Sequence, residues 1–132
     1  MIVGDFDGNH SVQSVAQLEL RLGARFKDDE NGFGLTPDSS DYPVLHIYVR
    51  GDLAVIYYVP EDGQTGDVSV GGKMNLDPKE WTSFSITKHD AGETIDVLNE
   101  SIVPFSEALE AAKEFFHSHA QERPRSIEWR EL

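Results

Sequence analysis

One stretch constrains the fold of this chain more than any other: Tyr42-Pro-Val-Leu-His-Ile-Tyr-Val-Arg-Gly-Asp-Leu-Ala-Val-Ile-Tyr-Tyr-Val59. Residues 44–50 and 53–59 are rich in Val, Ile, Leu and Tyr, which suit a pleated, half-buried surface. Gly51-Asp52 lies between them, and a glycine at the first turn position supplies the positive φ that a two-residue hairpin loop needs. The spacing therefore predicts a β-hairpin. Leu45, Ile47 and Val49 then share one face with Tyr58, Ile56 and Ala54, which suits a core. His46, Tyr48 and Arg50 share the other with Tyr57, Val55 and Leu53. A face that mixes aromatic, charged and aliphatic groups is either covered by a short element or offered to a partner.

A chain of 132 residues is long enough for one domain with a real core, and the reading is a single domain over residues 1–132. The absence of cysteine excludes disulfides and thiolate metal sites. Met1-Ile-Val-Gly-Asp5 turns acidic at once and lacks the basic-plus-apolar pattern of an export signal. No apolar run approaches the roughly 18–20 residues of a membrane span. Residence in the cytoplasm, without membrane contact, is the expectation. Eleven Lys and Arg against 24 Asp and Glu leave a net charge of −13. Such a chain repels nucleic acid and anionic membranes, and it is steered toward a basic partner. Plain solubility accounts for the same charge.

Before the hairpin, residues 1–10 read as a brief strand and a loop. Asp5-Phe-Asp-Gly-Asn9 invites a calcium-loop reading but fails on spacing, because His10 stands where the glycine belongs and no closing Glu follows. Ser11 or Ser14 can cap a helix whose apolar stripe is Val12, Val15, Leu18 and Leu22, with Gly23 as its stop and Leu20 off the stripe. Asp28-Asp-Glu30 reads as a solvated charge run. Asn31-Gly-Phe-Gly-Leu-Thr36 reads as a strand with Phe33 and Leu35 on one face. Pro37–Asp41 is a loop.

After the hairpin, Pro60–Gly66 is a turn, and Asp67-Val-Ser-Val70 alternates with Val68 and Val70 inward. The glycines near residue 71 match neither a phosphate loop nor a nucleophile elbow. Thr82–Thr87 predicts a strand with Phe84 and Ile86 on one face. Lys88–Gly92 reads as a turn, Glu93–Val97 as a further strand, and Ile102-Val103 as the end of another. Phe105, Ala108, Leu109, Ala112, Phe115 and Phe116 form the stripe of the strongest helix, with Ser106 as its cap. Ser126–Leu132 reads as a closing strand with Ile127 and Trp129 toward the core. The fold class is α+β: a mostly antiparallel sheet of five to seven short strands with two helices packed on one face.

Catalysis needs a nucleophile, base or metal set at workable geometry; carboxylates are plentiful enough for a pair to lie close by chance, but no second signal accompanies them. The five histidines, His10, His46, His89, His117 and His119, fit no zinc motif. His117 and His119 are two apart on a helix and face different ways. No basic stripe with stacking aromatics suggests direct nucleic-acid binding. No cofactor and no metal are expected.

Several of these stretches resemble one family in order and spacing. Tyr42-Pro-x-Leu-x-Ile through Gly51-Asp-Leu-Ala-Val-Ile-Tyr-Tyr58, then Ser69-x-Gly71, then Val103-Pro-Phe-Ser-Glu-Ala-Leu-Glu-Ala-Ala-Lys-Glu-Phe-Phe116, Glu122-Arg-Pro124 and Ile127-Glu-Trp129 are similar to the first-numbered immunity family of bacterial polymorphic toxin systems. That family includes the antidote of a toxin that deaminates cytosine in double-stranded DNA, and Asp5-Phe-Asp-Gly8 also resembles its opening. Residues 73–100 match no such pattern, and partner choice could lie there.

The resemblance implies a non-enzymatic protein that binds a cognate toxin domain in the cytoplasm and blocks its active site. Such a toxin would be a basic, nucleic-acid-acting deaminase or nuclease. Trp129, Pro124, Phe115 and Phe116 then serve the fold. Candidate toxin contacts are Asp38 and Asp41 before the hairpin, Tyr48 and Tyr57 on its second face, Glu61, Asp62 and Asp67 after it, and Glu80 with Trp81. A solvated surface is the plain alternative for each acid. For the whole chain the competing readings are a housekeeping interaction module and a carboxylate-based enzyme.

Overall fold

In a computed structural model that describes residues 1–87 and 92–132, the hairpin pairs as its sequence dictates. Strands β4 (Val44–Arg50) and β5 (Leu53–Val59) run antiparallel with Leu45 opposite Tyr58, Ile47 opposite Ile56 and Val49 opposite Ala54. Gly51 takes φ +57° at the turn. Around this pair the main sheet is ordered β10-β6-β5-β4-β3-β1-β2. Its other members are β1 (Ile2–Asp5), β2 (Gly8–Ser11), β3 (Glu30–Thr36), β6 (Asp67–Val70) and β10 (Glu128–Glu131), and a two-residue strand β9 (Val103–Pro104) also pairs with β5. Among the described residues every pairing is antiparallel. A separate ribbon joins β7 (Trp81–Ser85) to β8 (Thr94–Leu98). The turn expected over Lys88–Gly92 has residues 88–91 outside the described residues.

Both helices pack on one face. Helix α1 (Val15–Leu22) is capped by Ser14, whose hydroxyl accepts from the Gln17 amide at 3.2 Å, while the Gln17 side chain accepts from the Gln13 amide at 2.7 Å. Leu18 and Leu22 are buried and Leu20 is 73% exposed, so the stripe is narrow and Leu20 belongs to solvent. Helix α2 (Phe105–His117) buries Ala108, Ala111, Ala112 and Phe115. Its cap differs from expectation. Ser106 lies inside the helix, and the first turn is tied instead by the Phe105 amide donating to the Asp52 carbonyl at 2.8 Å. The hairpin turn thus docks the second helix. Lys113 bridges the helices, reaching Glu19 at 2.8 Å.

Beneath the helices lie Phe33, Leu35, Leu45, Ile47, Ile56 and Tyr58 in one cluster. Phe115 meets Tyr58 edge-on at 6.4 Å, and Trp129 tilts against Tyr58 at 6.3 Å. Trp129 is held by its indole N–H, which donates to the Pro124 carbonyl at 2.8 Å. Glu114 organises the turn that brings this segment back, accepting from the Arg125 and Ser126 amides. Burial raises the Glu114 pKa, but these hydrogen bonds outweigh it and hold the carboxyl below its usual value.

Val68 turns to the opposite face. There it joins Val55, Ile102, Phe84 and Val97 in a second cluster that the β7–β8 ribbon covers. A further difference is the hairpin at the start: Gly8–Ser11, expected as loop, pairs with β1 as an edge strand. Its residues carry no apolar alternation, so only the backbone ladder reveals it.

The small residues Ser69 and Gly71 sit where two strands share one edge of β5. β6 pairs at Tyr57 and Tyr58, β9 at Leu53 and Ala54. At the join, the buried Ser69 hydroxyl accepts from the Ile56 amide at 3.1 Å and donates to the Ser101 carbonyl at 2.7 Å. A Cβ on Gly71 would fall 1.8 Å from the Ile102 carbonyl oxygen, so only glycine fits. Ser69→Ala should leave a buried amide and a buried carbonyl short of a partner and cost about 1–3 kcal/mol in urea unfolding. Gly71→Ala should give no soluble folded protein in a parallel expression trial.

Candidate functional site

The face of the sheet opposite the helices is only half covered. The ribbon crosses the Glu30–Arg50 end of β3 and β4. Glu30, expected as part of a solvated run, is buried there, and its carboxylate accepts from the Ser85 amide at 3.0 Å and the Ser85 hydroxyl at 2.7 Å. Arg50 donates to the Ser83 carbonyl at 3.2 Å from the same face. Two side chains thus clamp β7 to the sheet.

Past the ribbon the face opens into a trough of about 990 Å³. Period two along the strands explains its floor. Phe33 and Leu35 point to the helices, so Gly32 and Gly34 point to the trough. Gly4 lies beside Gly34 in register on β1, and His46 faces Gly34 from β4. The floor is therefore mostly backbone. Its walls are rings. Phe6 and Tyr48 close over Gly32, where a Cβ would fall 2.7 Å and 2.9 Å from them. His46 stacks on Tyr48 with centroids 6.3 Å apart and planes 6° apart. Tyr42 and Ile86 complete the sides.

The exposed charge sits on the rim, and a further acid of the lining, Asp5, has its side chain shielded and lies 3.6 Å from His10 Nε2. Asp38 and Asp41 come from the loop before β4 and Asp62 from the turn after β5, and all three are exposed. Asp38 takes the Met1 amino group at 2.8 Å, and Asp62 accepts from the Tyr42 hydroxyl at 3.5 Å. No Lys or Arg lines the trough among the described residues. The rings add no charge: burial lowers the His46 pKa and raises that of Tyr48.

Four of the sequence-derived candidates, Asp38, Asp41, Tyr48 and Asp62, meet here. The others lie elsewhere. Tyr57 packs into the second cluster beneath the ribbon, its pKa raised by burial and by Tyr48 against the opposing pull of Arg130. Glu61 is exposed beside Asp62 and accepts from Gln64 at 3.4 Å. Asp67 is half-buried in an ion pair with Arg123 at 2.7 Å. Glu80 and Trp81 begin the ribbon, with Trp81 60% exposed. Gly4, Phe6, Gly32, Gly34, Tyr42 and His46 were not among the candidates. The alternation Gly32-Phe-Gly-Leu35 was the signal that could have found the floor, since it strips one face of a strand of side chains.

Among the described residues no group of three His, Asp or Glu side chains is placed to hold a metal ion. No helix among the described residues is long and apolar enough to cross a membrane. The family model of the immunity protein Imm1 matches residues 8–131. The chain belongs to the Imm1 family of immunity proteins. It is also 31% identical to a double-stranded DNA deaminase immunity protein of Burkholderia cenocepacia strain H111, over the full length of both chains. Of the residues in the stretches that resemble the family, Ser69, Gly71, Phe115, Pro124 and Trp129 all serve packing or backbone closure, and the trough is built largely from other residues.

His46 carries a pH signature. Its usual pKa is 6.5, and burial lowers it in the folded chain. The unfolded chain therefore takes up this proton first, and folding stability declines as pH falls from 6.5 toward the folded-state value. His46→Asn should flatten that part of the stability curve in urea unfolding between about pH 7.5 and about pH 5.

Proposed function

We propose that this chain neutralises a cognate interbacterial toxin in the cytoplasm, by binding the toxin domain and covering its active site with the trough face. The observation that carries the reading is the Imm1 match across nearly the whole chain. The named relative supports a deaminase acting on nucleic acid as the kind of toxin. The geometry supplies a physical reason. An enzyme that acts on a polyanion needs a positive cleft, and a net charge of −13 draws such a surface in. A trough with carboxylates on its rim and no cation among its described residues is complementary to that cleft.

The reading is one of binding rather than catalysis. Asp38, Asp41 and Asp62 are exposed on an open rim, and the shielded Asp5 is engaged by the Asp7 amide and His10, whereas general acid–base work calls for free carboxylates in a water-poor pocket at fixed separation. Glu61 extends the acidic rim beside Asp62, while Trp81 is exposed at the other end of β7 from Ile86.

The test is a rescue assay. The toxin domain encoded beside this gene is expressed in a sensitive host with and without this chain. Survival and co-purification of the two proteins are expected. Death despite soluble expression of this chain would overturn the proposal. In the purified system, Asp41→Lys with Asp62→Lys should leave the melting temperature unchanged and slow association about tenfold or more at low salt. The deficit should shrink as salt is added, because exposed charges are screened.

A further inference from the structure

We propose that the Gly4–Gly34 floor is a socket for one arginine side chain of the toxin, an inference that rests on the immunity reading and specifies its contact. The starting point is a contrast between neighbouring glycines. Gly32 is explained by the fold, because the Phe6 and Tyr48 rings occupy the space a side chain would need. Gly34 is not. A Cβ there would meet the His46 ring at 3.6 Å, an ordinary contact, and its backbone is outside the left-handed region. At Gly4 the obstacle is the Asn9 side-chain oxygen at 2.8 Å, the far end of an exposed side chain that can turn away. Glycine inside a strand weakens it and leaves nothing to pack. Two such positions lie side by side in the sheet facing an open trough, Gly34 bare and Gly4 covered by the Asn9 side chain, and they serve close approach by another molecule once Asn9 turns aside.

The surroundings select the visitor. The His46 and Tyr48 rings are stacked, neutral and half-buried, and they offer flat surfaces. Asp41 and Asp62 stand on the rim without an ion-pair partner among the described residues. An apolar insert would strip water from these carboxylates and give nothing back. An anion would be repelled. A lysine ammonium answers the charge but not the rings. A guanidinium does both, since its plane stacks on aromatic faces and its N–H fork pairs with carboxylates. A long arginine also reaches a floor set below its rim, where the missing side chain at Gly34 makes the room and Asn9 turns off Gly4 to widen it. Arginine is the residue a nucleic-acid-acting enzyme uses to hold phosphates and bases, so the socket would remove such a residue from the toxin's own work.

Filling the socket tests this without touching a charge. Gly34→Val and Gly34→Leu place a side chain on the floor, and valine also suits a strand. Each is titrated against a catalytically inactivated form of the toxin domain encoded beside this gene. Melting temperatures at or above the wild type are expected, with affinity lowered roughly 30-fold or more. Each toxin arginine is then replaced by alanine. One such variant should bind the wild type weakly and Gly34→Val with no further loss, which is the signature of a shared contact. Should Gly34→Val be poorly folded, wild-type amide spectra decide: the Gly4 and Gly34 signals must shift on toxin binding. Tight binding by a well-folded Gly34→Leu protein, or unshifted glycine signals in the complex, would overturn the socket and leave the immunity reading intact. No binding by the wild type would overturn both.

Discussion

The pairing of β4 with β5 is the constraint on which the rest depends. Its register decides that Leu45, Ile47, Ile56 and Tyr58 look one way and His46, Tyr48 and Tyr57 the other. A slip of one residue would exchange the two sets, burying His46 under the helices and exposing Ile47. The turn that sets this register also docks the second helix through the Asp52 carbonyl. The hairpin therefore fixes at once where the core lies, where α2 begins and which face is left for other use.

What happens on the second face follows from how little apolar surface it has. Val55, Val68 and Ile102 form a patch large enough to hold the ribbon through Phe84 and Val97. The clamp from Glu30 to Ser85 adds charge-assisted hydrogen bonds in a buried setting, where each is stronger than at the surface. Beyond that patch the side chains run out. Glycines on β1 and β3 give the ribbon nothing to bury, so the cover stops and the trough begins. The boundary between closed and open sheet is thus a change in side-chain volume along two strands.

The parts of the fold that were legible in the sequence are those whose signals are local. Gly51-Asp52 specifies its own turn, and Phe105 to Phe116 show their stripe at helical spacing. The parts that were not legible depend on distant backbone. β2 pairs through main-chain bonds while its side chains read as a loop. Glu30 looked solvated because its partner, Ser85, is 55 residues away. Ser106 looked like a cap because a carbonyl from the hairpin turn left no trace in the local sequence. The site was divided in the same way. Its acids stood out as charges in loops, but its floor is an absence of side chains, and that takes shape only when β1, β3 and β4 lie side by side.

Two parts of the trough would then act at different stages of an encounter. The rim carboxylates are exposed, so their attraction reaches into solvent but each close pair they form is weak in net energy. They can raise the rate of meeting and bias its orientation. The rings and bare backbone below are partly shielded from water, so a cation seated among them exchanges less with solvent and leaves slowly. Salt should accordingly erode the first effect more than the second. An inhibitor of a lethal enzyme needs both, because a toxin molecule must be caught before it acts and held after it is caught. Dividing the tasks between rim and floor also separates what must stay generic from what can vary: many basic clefts answer to the same charge, but only one with a side chain in the right place can use the socket.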